Sequence, residues 1–306
     1  LPAQTPYKTP PQVIVDILDA PPLPAASVSP DRQWLLLLEQ RSMPAIAELA
    51  QPMLRLAGNR INPRTSGPQL PGSVGGLLLK RIEDGTERRI SVPTPGALSF
   101  VNWAPNGRLI SFVQTRAAGW ALWIADVATG RTRELTGAGS GLNATDGAPC
   151  EWMPDGGRLL CRFVPDDRGA APVPPAAPIG PTTQDATGRA APAATFQDLL
   201  DNAQDEALYT HYFTAQLALV DVATGRRTPI GRPAIFDDLD VSPNGEFVLV
   251  SRTVRPYSYL VPAGRFPQGI AVWDLRGEGG GRGAQQPPAQ NGSRRVGPTW
   301  PPALQW

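Results

Sequence analysis

The sequence predicts an all-β fold, a partial β-propeller of about four four-stranded blades with short helical insertions. Three observations carry that expectation. First, a Pro, a polar turn and an apolar run recur four times, in SPDRQWLLL (29–37), APNGRLISF (104–112), MPDGGRLLC (153–161) and SPNGEFVLV (242–250). Pro presets φ for turn entry, and Asn and Gly tolerate the positive φ of a tight hairpin turn. Second, two of these hairpins are followed by a matched unit with a second tight turn, LWIADVATGRTRELT (122–136) and LALVDVATGRRTPIG (217–231). Looser copies are LLLKRIEDGTERRISV (77–92) and the opening IAVWDL (270–275). Third, the chain is rich in turn formers: 36 Pro and 31 Gly among 306 residues, with 41% apolar residues to fill a core.

One full unit, strand–turn–strand–strand–turn–strand, runs uninterrupted from Ala97 to Gly137. That is the length and content of a propeller blade. Taken in order, residues 1–24 read as an N-terminal segment with a short helix near Gln12–Leu18. Residues 25–297 read as blades, near 25–92, 97–137, 147–231 and 235–290, with insertions at 43–73, 165–208 and 254–269. Residues 298–306 read as the start of a further blade. Within the first insertion, Pro44–Gly58 reads as a short helix broken at Pro52 with Gly58 as its C-cap. Within the second, Pro165–Ala194 is a Pro/Ala-rich loop, and Thr195 and Asp198 suggest a capping box for one short helix. Uneven insertions argue against a closed symmetric four-bladed ring. An open set of blades leaves apolar blade faces exposed.

The hairpin CEWMPDGGRLLC carries both cysteines. A turn centred between Asp155 and Gly156 makes Cys150 and Cys161 cross-strand neighbours on one face, within disulfide reach. A disulfide and a pair of small buried thiols both remain open on this reading. The chain starts at Leu1 without Met, which suggests an upstream segment removed as a secretory signal or left out by cloning. If it was a signal, the expected location is periplasmic or secreted.

Charge and motifs exclude several functions. The balance of 28 basic and 27 acidic residues gives no electrostatic case for nucleic acid or an anionic membrane, and no apolar run is long enough to span a bilayer. The sequence contains no Gly-x-Ser-x-Gly elbow, and His211, the single histidine, sits at the entry to an expected strand. One His and two Cys do not supply a metal site. No phosphate-cradling glycine pattern occurs in strand–turn–helix context, so no cofactor is expected. The acidic pairs Asp166–Asp167 and Asp237–Asp238, with Asp240, read as solvated loops or strand ends unless two of them face one cleft. Trp34, Trp103, Trp120, Trp123 and Trp152 read as packing between blades.

Three segments carry a family resemblance: PPQVIVDILDAPPLPAASVSPDRQWLLLLEQRSMPAIAELAQPMLRLAGNRI (10–61), TFQDLLDNAQDEALYTHYFTAQLAL (195–219) and RPYSYLVPAGRFPQGIAVW (255–273). They resemble the propeller half of the glutamyl endopeptidases, in the prolyl oligopeptidase family of serine peptidases. The resemblance implies a propeller of roughly seven blades followed by an α/β-hydrolase domain that cleaves after Glu. None of that domain's catalytic residues has a counterpart here, so the expected catalytic set is empty. The implied role is substrate gating, with a peptide or protein substrate and the hydrolase domain as partners. The alternative is a stand-alone propeller that binds a protein or peptide. A Glu-specific cleft calls for a fixed guanidinium, because Arg meets a carboxylate through two parallel hydrogen bonds. Arg255 and Arg265, which bracket Tyr257 and Tyr259 on one loop, are the candidates for that contact. Capping of carbonyls or pairing with local acids is the competing use of both arginines.

Overall fold

The computed structural model describes residues 9–41, 43–70, 72, 74–92, 96–174, 195–277 and 284–286. The further blade expected at 298–306, the tail at 287–297 and residues 175–194 of the Pro/Ala-rich loop lie outside these.

A short helix, α1 (Gln12–Leu18), precedes the sheets and buries none of its residues. The first blade contains β1 (Ala25–Val28) and β2 (Trp34–Gln40), then an insertion with α2 (Ile46–Leu49), β3 (Leu54–Leu56), β4 (Asn59–Asn62) and β5 (Gly67–Pro68). It closes with β6 (Val74–Arg81) and β7 (Glu87–Arg89). The second blade is β8 (Leu98–Trp103), β9 (Leu109–Arg116), β10 (Gly119–Asp126) and β11 (Thr132–Thr136). The third is β12 (Cys150–Trp152), β13 (Arg158–Phe163), the inserted helix α3 (Ala203–Phe213), β14 (Thr214–Asp221) and the first part of β15 (Arg227–Val241). The second part of β15 opens the fourth blade, followed by β16 (Phe247–Thr253), β17 (Gln268–Asp274) and β18 (Ala284–Gln286). All pairings are antiparallel; within each blade they join successive strands, and the pair Val74–Leu98 also links β6 of the first blade to β8 of the second.

The four Pro turns share one geometry. Gly107, Gly156 and Gly245 donate their N–H to Ala104, Met153 and Ser242 at 2.9, 2.9 and 2.7 Å. Each glycine sits at φ between 65° and 70°. In the first blade Arg32 occupies the same place at φ 58°, donating to Ser29 at 2.8 Å. A side chain there is strained, since Cβ crowds the carbonyl in the left-handed region. The later turns are equally local: Asp126 Oδ1 accepts from Thr129 N and Oγ1 at 2.8 and 2.7 Å. Asp221 repeats this with Thr224 at 2.8 and 2.6 Å.

Three apolar clusters join consecutive blades. Leu36, Leu77, Leu79, Phe112 and Trp123 pack between the first and second. Trp120, Leu122, Trp152, Leu159 and Phe163 pack between the second and third. Leu217, Val248, Val250, Phe236 and Trp273 pack between the third and fourth. Alternate residues of one strand therefore serve different neighbours, as in β10, where Trp120 and Trp123 point to opposite sides.

A fourth cluster lies in the insertions. Each insertion connects the second and third strands of its blade, so all three leave from the same end of the sheets. Leu56 and Ile61 of the first, Leu200, Tyr209 and Phe213 of the second, and Val261 and Phe266 of the third form one core. Backbone bonds lock it: Gly58 N donates to Asp198 O at 2.7 Å and Ala263 N to Ala57 O at 2.8 Å.

Three local expectations are corrected. The helix in Pro44–Gly58 ends at Leu49, and Gly58 is a hairpin turn residue between β3 and β4 at φ 86°, with no C-cap role. Pro52 disfavours helix before it, and the alternation Leu54, Arg55, Leu56 then suits a half-buried strand. The cap of α3 is Asn202, whose side chain accepts from Asp205 N at 3.0 Å. Thr195 and Asp198 lie upstream of that helix, and Asp198 instead takes Arg60 Nε at 2.6 Å. His211 belongs to the last turn of α3 and does not open a strand.

Candidate functional site

The largest concentration of perturbed charge sits in a cavity of about 520 Å³. The first strands of three blades reach it: Asn102 and Trp103 from β8, Glu151 and Trp152 from β12, and Asp237, Asp238 and Leu239 from β15. The loop before β12 adds Asp146, and β13 adds Arg162. Asp237 and Asp238 thus face a common cleft with other acids, which makes the solvated-strand-end reading of them incomplete.

Four carboxylates around a partly dry space cannot all ionise at their ordinary pKa values. Loss of surrounding water pushes Glu151 up to about 7, and the charges of Asp240 and Asp238 add to the effect while Arg162 opposes it. Desolvation pushes Asp146 up to about 6, opposed by Arg162 and reinforced by Asp237 and Asp238. Burial also raises Asp240, with Asp238 adding to it. Arg162 is itself lowered by burial, against the pull of Asp146, Asp238, Glu151 and Asp237. Its Nη1 donates to Asp146 O at 3.0 Å, whereas its buried Nε has no hydrogen-bond partner among the described residues. Glu151 is solvent-accessible through the mouth of the cavity. Its raised pKa reflects the protein around it more than contact burial. Such a pair, titrating near neutrality beside a fixed cation, can hold a cationic group or exchange a proton with a ligand.

The wall of this cavity is covalently pinned. Cys150 and Cys161 are cross-strand partners in β12 and β13, their Cα atoms 4.1 Å apart and their sulfurs bonded. Cys161 is fully buried and Cys150 lines the cavity. Because β12 has only three residues, the disulfide holds Glu151 and Trp152 in register.

The loop residues Arg255, Tyr257 and Tyr259 converge on α3. Arg255 Nη1 meets Glu206 Oε2 at 2.6 Å and its Nη2 donates to Thr210 Oγ1 at 3.0 Å. Tyr259 donates its hydroxyl to Glu206 Oε1 at 2.8 Å, and burial followed by this bond raises its pKa. Tyr257 Oη lies 3.0 Å from Thr210 Oγ1, its ring stacks on Phe266, and the Arg255 guanidinium lies over it at 4.5 Å. Arg255 therefore already has a carboxylate. Arg265 is set apart from this group, its guanidinium 5.0 Å over the Phe196 ring, and makes no ion pair among the described residues. Phe196 and Tyr259, with Arg55, Asp198, Leu199 and Asp201, line a second cavity of about 360 Å³.

Sequence reasoning missed Glu206, Asp146, Glu151 and Arg162. Glu206 has its partner Arg255 49 residues away in sequence. The three cavity residues stand in ordinary strand and loop contexts. His211 packs edge-on against Tyr212, and burial and Arg168 lower its pKa. Among the described residues no group of three or more His, Cys, Asp or Glu is arranged to hold a metal ion. No described helix is long and apolar enough to cross a membrane.

Among the described residues the fold is a partial β-propeller of four blades. No protein-family model matches the sequence. It is 36% identical over 285 residues to a probable chloroplastic glutamyl endopeptidase of Oryza sativa subsp. japonica, and 36% identical over 284 residues to one of Arabidopsis thaliana. Each match covers 89% of this chain, which spans only 30% and 29% of the two relatives. Superposition on an acylaminoacyl peptidase of Pyrococcus horikoshii gives a TM-score of 0.45 at 13% identity, covering 90% of this chain and 33% of that one. The propeller domain of a trilobed protease from Pyrococcus furiosus gives 0.42 at 10% identity, covering 89% and 58%. Over most of its length the chain is therefore similar to one stretch of these glutamyl endopeptidases.

Proposed function

We propose that the chain is the non-catalytic, substrate-gating propeller portion of a Glu-specific serine endopeptidase, acting beside an α/β-hydrolase domain on peptide substrates. The observation that carries the reading is the reach of the sequence match. A match that covers 89% of the chain is too extensive to come from blade strands alone, so it takes in insertion residues as well. Those insertions build the cap in which Arg265 and the smaller cavity lie. In this reading Arg265, held over Phe196, takes the substrate carboxylate, while Arg255, Tyr257 and Tyr259 brace the loop through Glu206. Serine peptidase chemistry needs a nucleophile, a His base and an oxyanion hole within hydrogen-bond reach. The packing of His211 on Tyr212 in α3 supports a structural use of that side chain. The disulfide fits an oxidising compartment, the periplasm or the exterior, which thiol labelling of protein from its native cells would check.

The test is fluorescence anisotropy with a labelled Glu-containing peptide and its Gln counterpart, read alongside a chromogenic hydrolysis assay. We expect weak binding that favours the Glu peptide, a weaker response in Arg265→Ala, and no turnover. Equal binding of both peptides would remove the Glu-recognition role. Hydrolysis by homogeneous protein that an active-site serine inhibitor blocks would overturn the non-catalytic reading.

A further inference from the structure

The hairpin of the first insertion carries two like charges side by side. Arg55 in β3 stands directly opposite Arg60 in β4, and both are exposed. Opposed cations on one face of a hairpin repel and cost it stability. The other face sends Leu56 and Ile61 into the shared core of the insertions, so alternation along the strands fixes where the arginines stand. The tip is held from both other insertions, by the bonds from Gly58 N to Asp198 O and from Ala263 N to Ala57 O. Gly58 also lies so close to the third insertion that a Cβ there would come within 2.6 Å of Pro262 Cβ. One carboxylate serves both arginines: Asp198 meets Arg60 Nε at 2.6 Å and Arg55 Nε at 3.5 Å. Their Nη groups make no hydrogen bond among the described residues. Arg60 lines a cavity of about 570 Å³, and Arg55 lines the cavity of about 360 Å³. Phe196 and Asp198 belong to the walls of both, and Arg265 lies over the Phe196 ring. Three guanidinium groups from two insertions thus surround Phe196, with Asp198 and Asp201 as the acids in these walls.

We propose that Arg55 and Arg60 form a subsite for a second carboxylate of an acidic peptide, beside the carboxylate assigned to Arg265. The inference rests on the peptide-binding reading and adds to it a preference for two acidic residues. Guanidinium groups carry donors only, so the groups left over here call for an anion. Each arginine is anchored through Nε, which orients the side chain and leaves the two Nη groups for parallel bonds to an incoming carboxylate. Much of the ordering cost of that contact is therefore met before the ligand arrives. A second acid on the ligand also relieves the repulsion between Arg55 and Arg60, which the single Asp198 carboxylate offsets only in part. A like-charge pair kept on a hairpin fixed from two sides breaks a local rule, as binding sites do.

Fluorescence anisotropy tests it with a labelled peptide holding one Glu in a Gly/Ser background. Its Gln counterpart and versions with a second Glu one to four residues to either side complete the set. The proteins are wild type, Arg55→Gln/Arg60→Gln and, as a control for lost charge, Arg108→Gln/Arg131→Gln at two exposed turns of the second blade. Wild type is expected to bind the best two-Glu peptide about fivefold more tightly than the one-Glu peptide, the upper end of what one exposed charged pair supplies. The advantage is expected to vanish in Arg55→Gln/Arg60→Gln and to persist in the control. Should the double variant lose its fold by circular dichroism, Arg55→Gln alone, which leaves the shorter Arg60–Asp198 contact in place, is expected to reduce the same advantage. Absence of any second-Glu advantage in wild type, its survival in the Arg55/Arg60 variant, or its equal loss in the control would each overturn the subsite. The Arg265 role fails separately: indifference to Glu against Gln in the one-acid peptides counts against it, while a second-Glu advantage lost with Arg55 and Arg60 still upholds the subsite.

Discussion

The two middle blades and the two end blades are made from the same repeat, yet they solve different burial problems. In the second and third blades the central strands bury side chains on both faces, so apolar residues run almost without interruption: GWALWIA in β10, LLC in β13. In the first and fourth blades one face is closed and the other half-open, although the sequences WLLLL and FVLV are just as apolar. Apolar content alone therefore does not report burial in this fold.

Adjacent leucines of β2 break or sharpen this contrast most directly. Leu36→Ala removes a side chain that is 1% exposed between two blades and is expected to cost about 2–5 kcal/mol. Leu37→Ala, on the half-open face of the same strand, is expected to cost about 1 kcal/mol or less when measured on monomer at low concentration. Urea denaturation checks both. Equal losses would mean that the first blade is closed on both sides.

The pH dependence of stability probes the interior side of the comparison, where three blades share the acidic cavity. Glu151 and Asp146 hold their protons more tightly in the folded protein than in the unfolded chain. Their contribution therefore favours the fold most below their unfolded pKa values of 4.5 and 3.8. It fades as pH rises toward about 7 and about 6. In Glu151→Gln the larger part of this loss is expected to vanish, so wild type should lose more Tm than the variant between about pH 5 and about pH 7.5. Parallel Tm curves for the two proteins would show that Glu151 keeps an ordinary pKa.

The smallest effect concerns an end blade's turn. Arg32→Gly relieves a left-handed residue where the other three blades use Gly107, Gly156 and Gly245. The relief is partly offset by the larger entropy of a glycine in the unfolded chain, leaving an expected gain of roughly 0.5 kcal/mol. A loss of stability in the same denaturation assay would mean that the Arg32 side chain makes a contact worth more than the strain.

How much was legible can be seen residue by residue. The Pro turns and the Asp–Thr–Gly turns could be read because each is closed by bonds spanning three to five residues, such as Gly245 N to Ser242 O. The tryptophans were readable as packing residues because a blade leaves few other places for a large apolar ring; Trp120 and Trp123 are in fact buried in two different junctions. The start of α3 was placed wrongly because two capping patterns lie close together, at Thr195–Asp198 and Asn202–Asp205, and in the fold Asp198 pairs with Arg60 while Asn202 caps the helix. At the loop 255–269, sequence pointed to the residues but not to Glu206, which occupies Arg255 from another insertion.

By itself, then, the sequence determined the repeat, the order of strands within each blade and the β class, all of which depend on short-range turn geometry and on alternation along single strands. The tertiary structure alone decided that insertions from three blades share one core, that Glu151 and Asp146 titrate near neutrality, and which leucines of β2 are closed in. Those properties depend on what lies across the fold. Desolvation and burial are set by neighbours dozens of residues distant, and no local pattern records them.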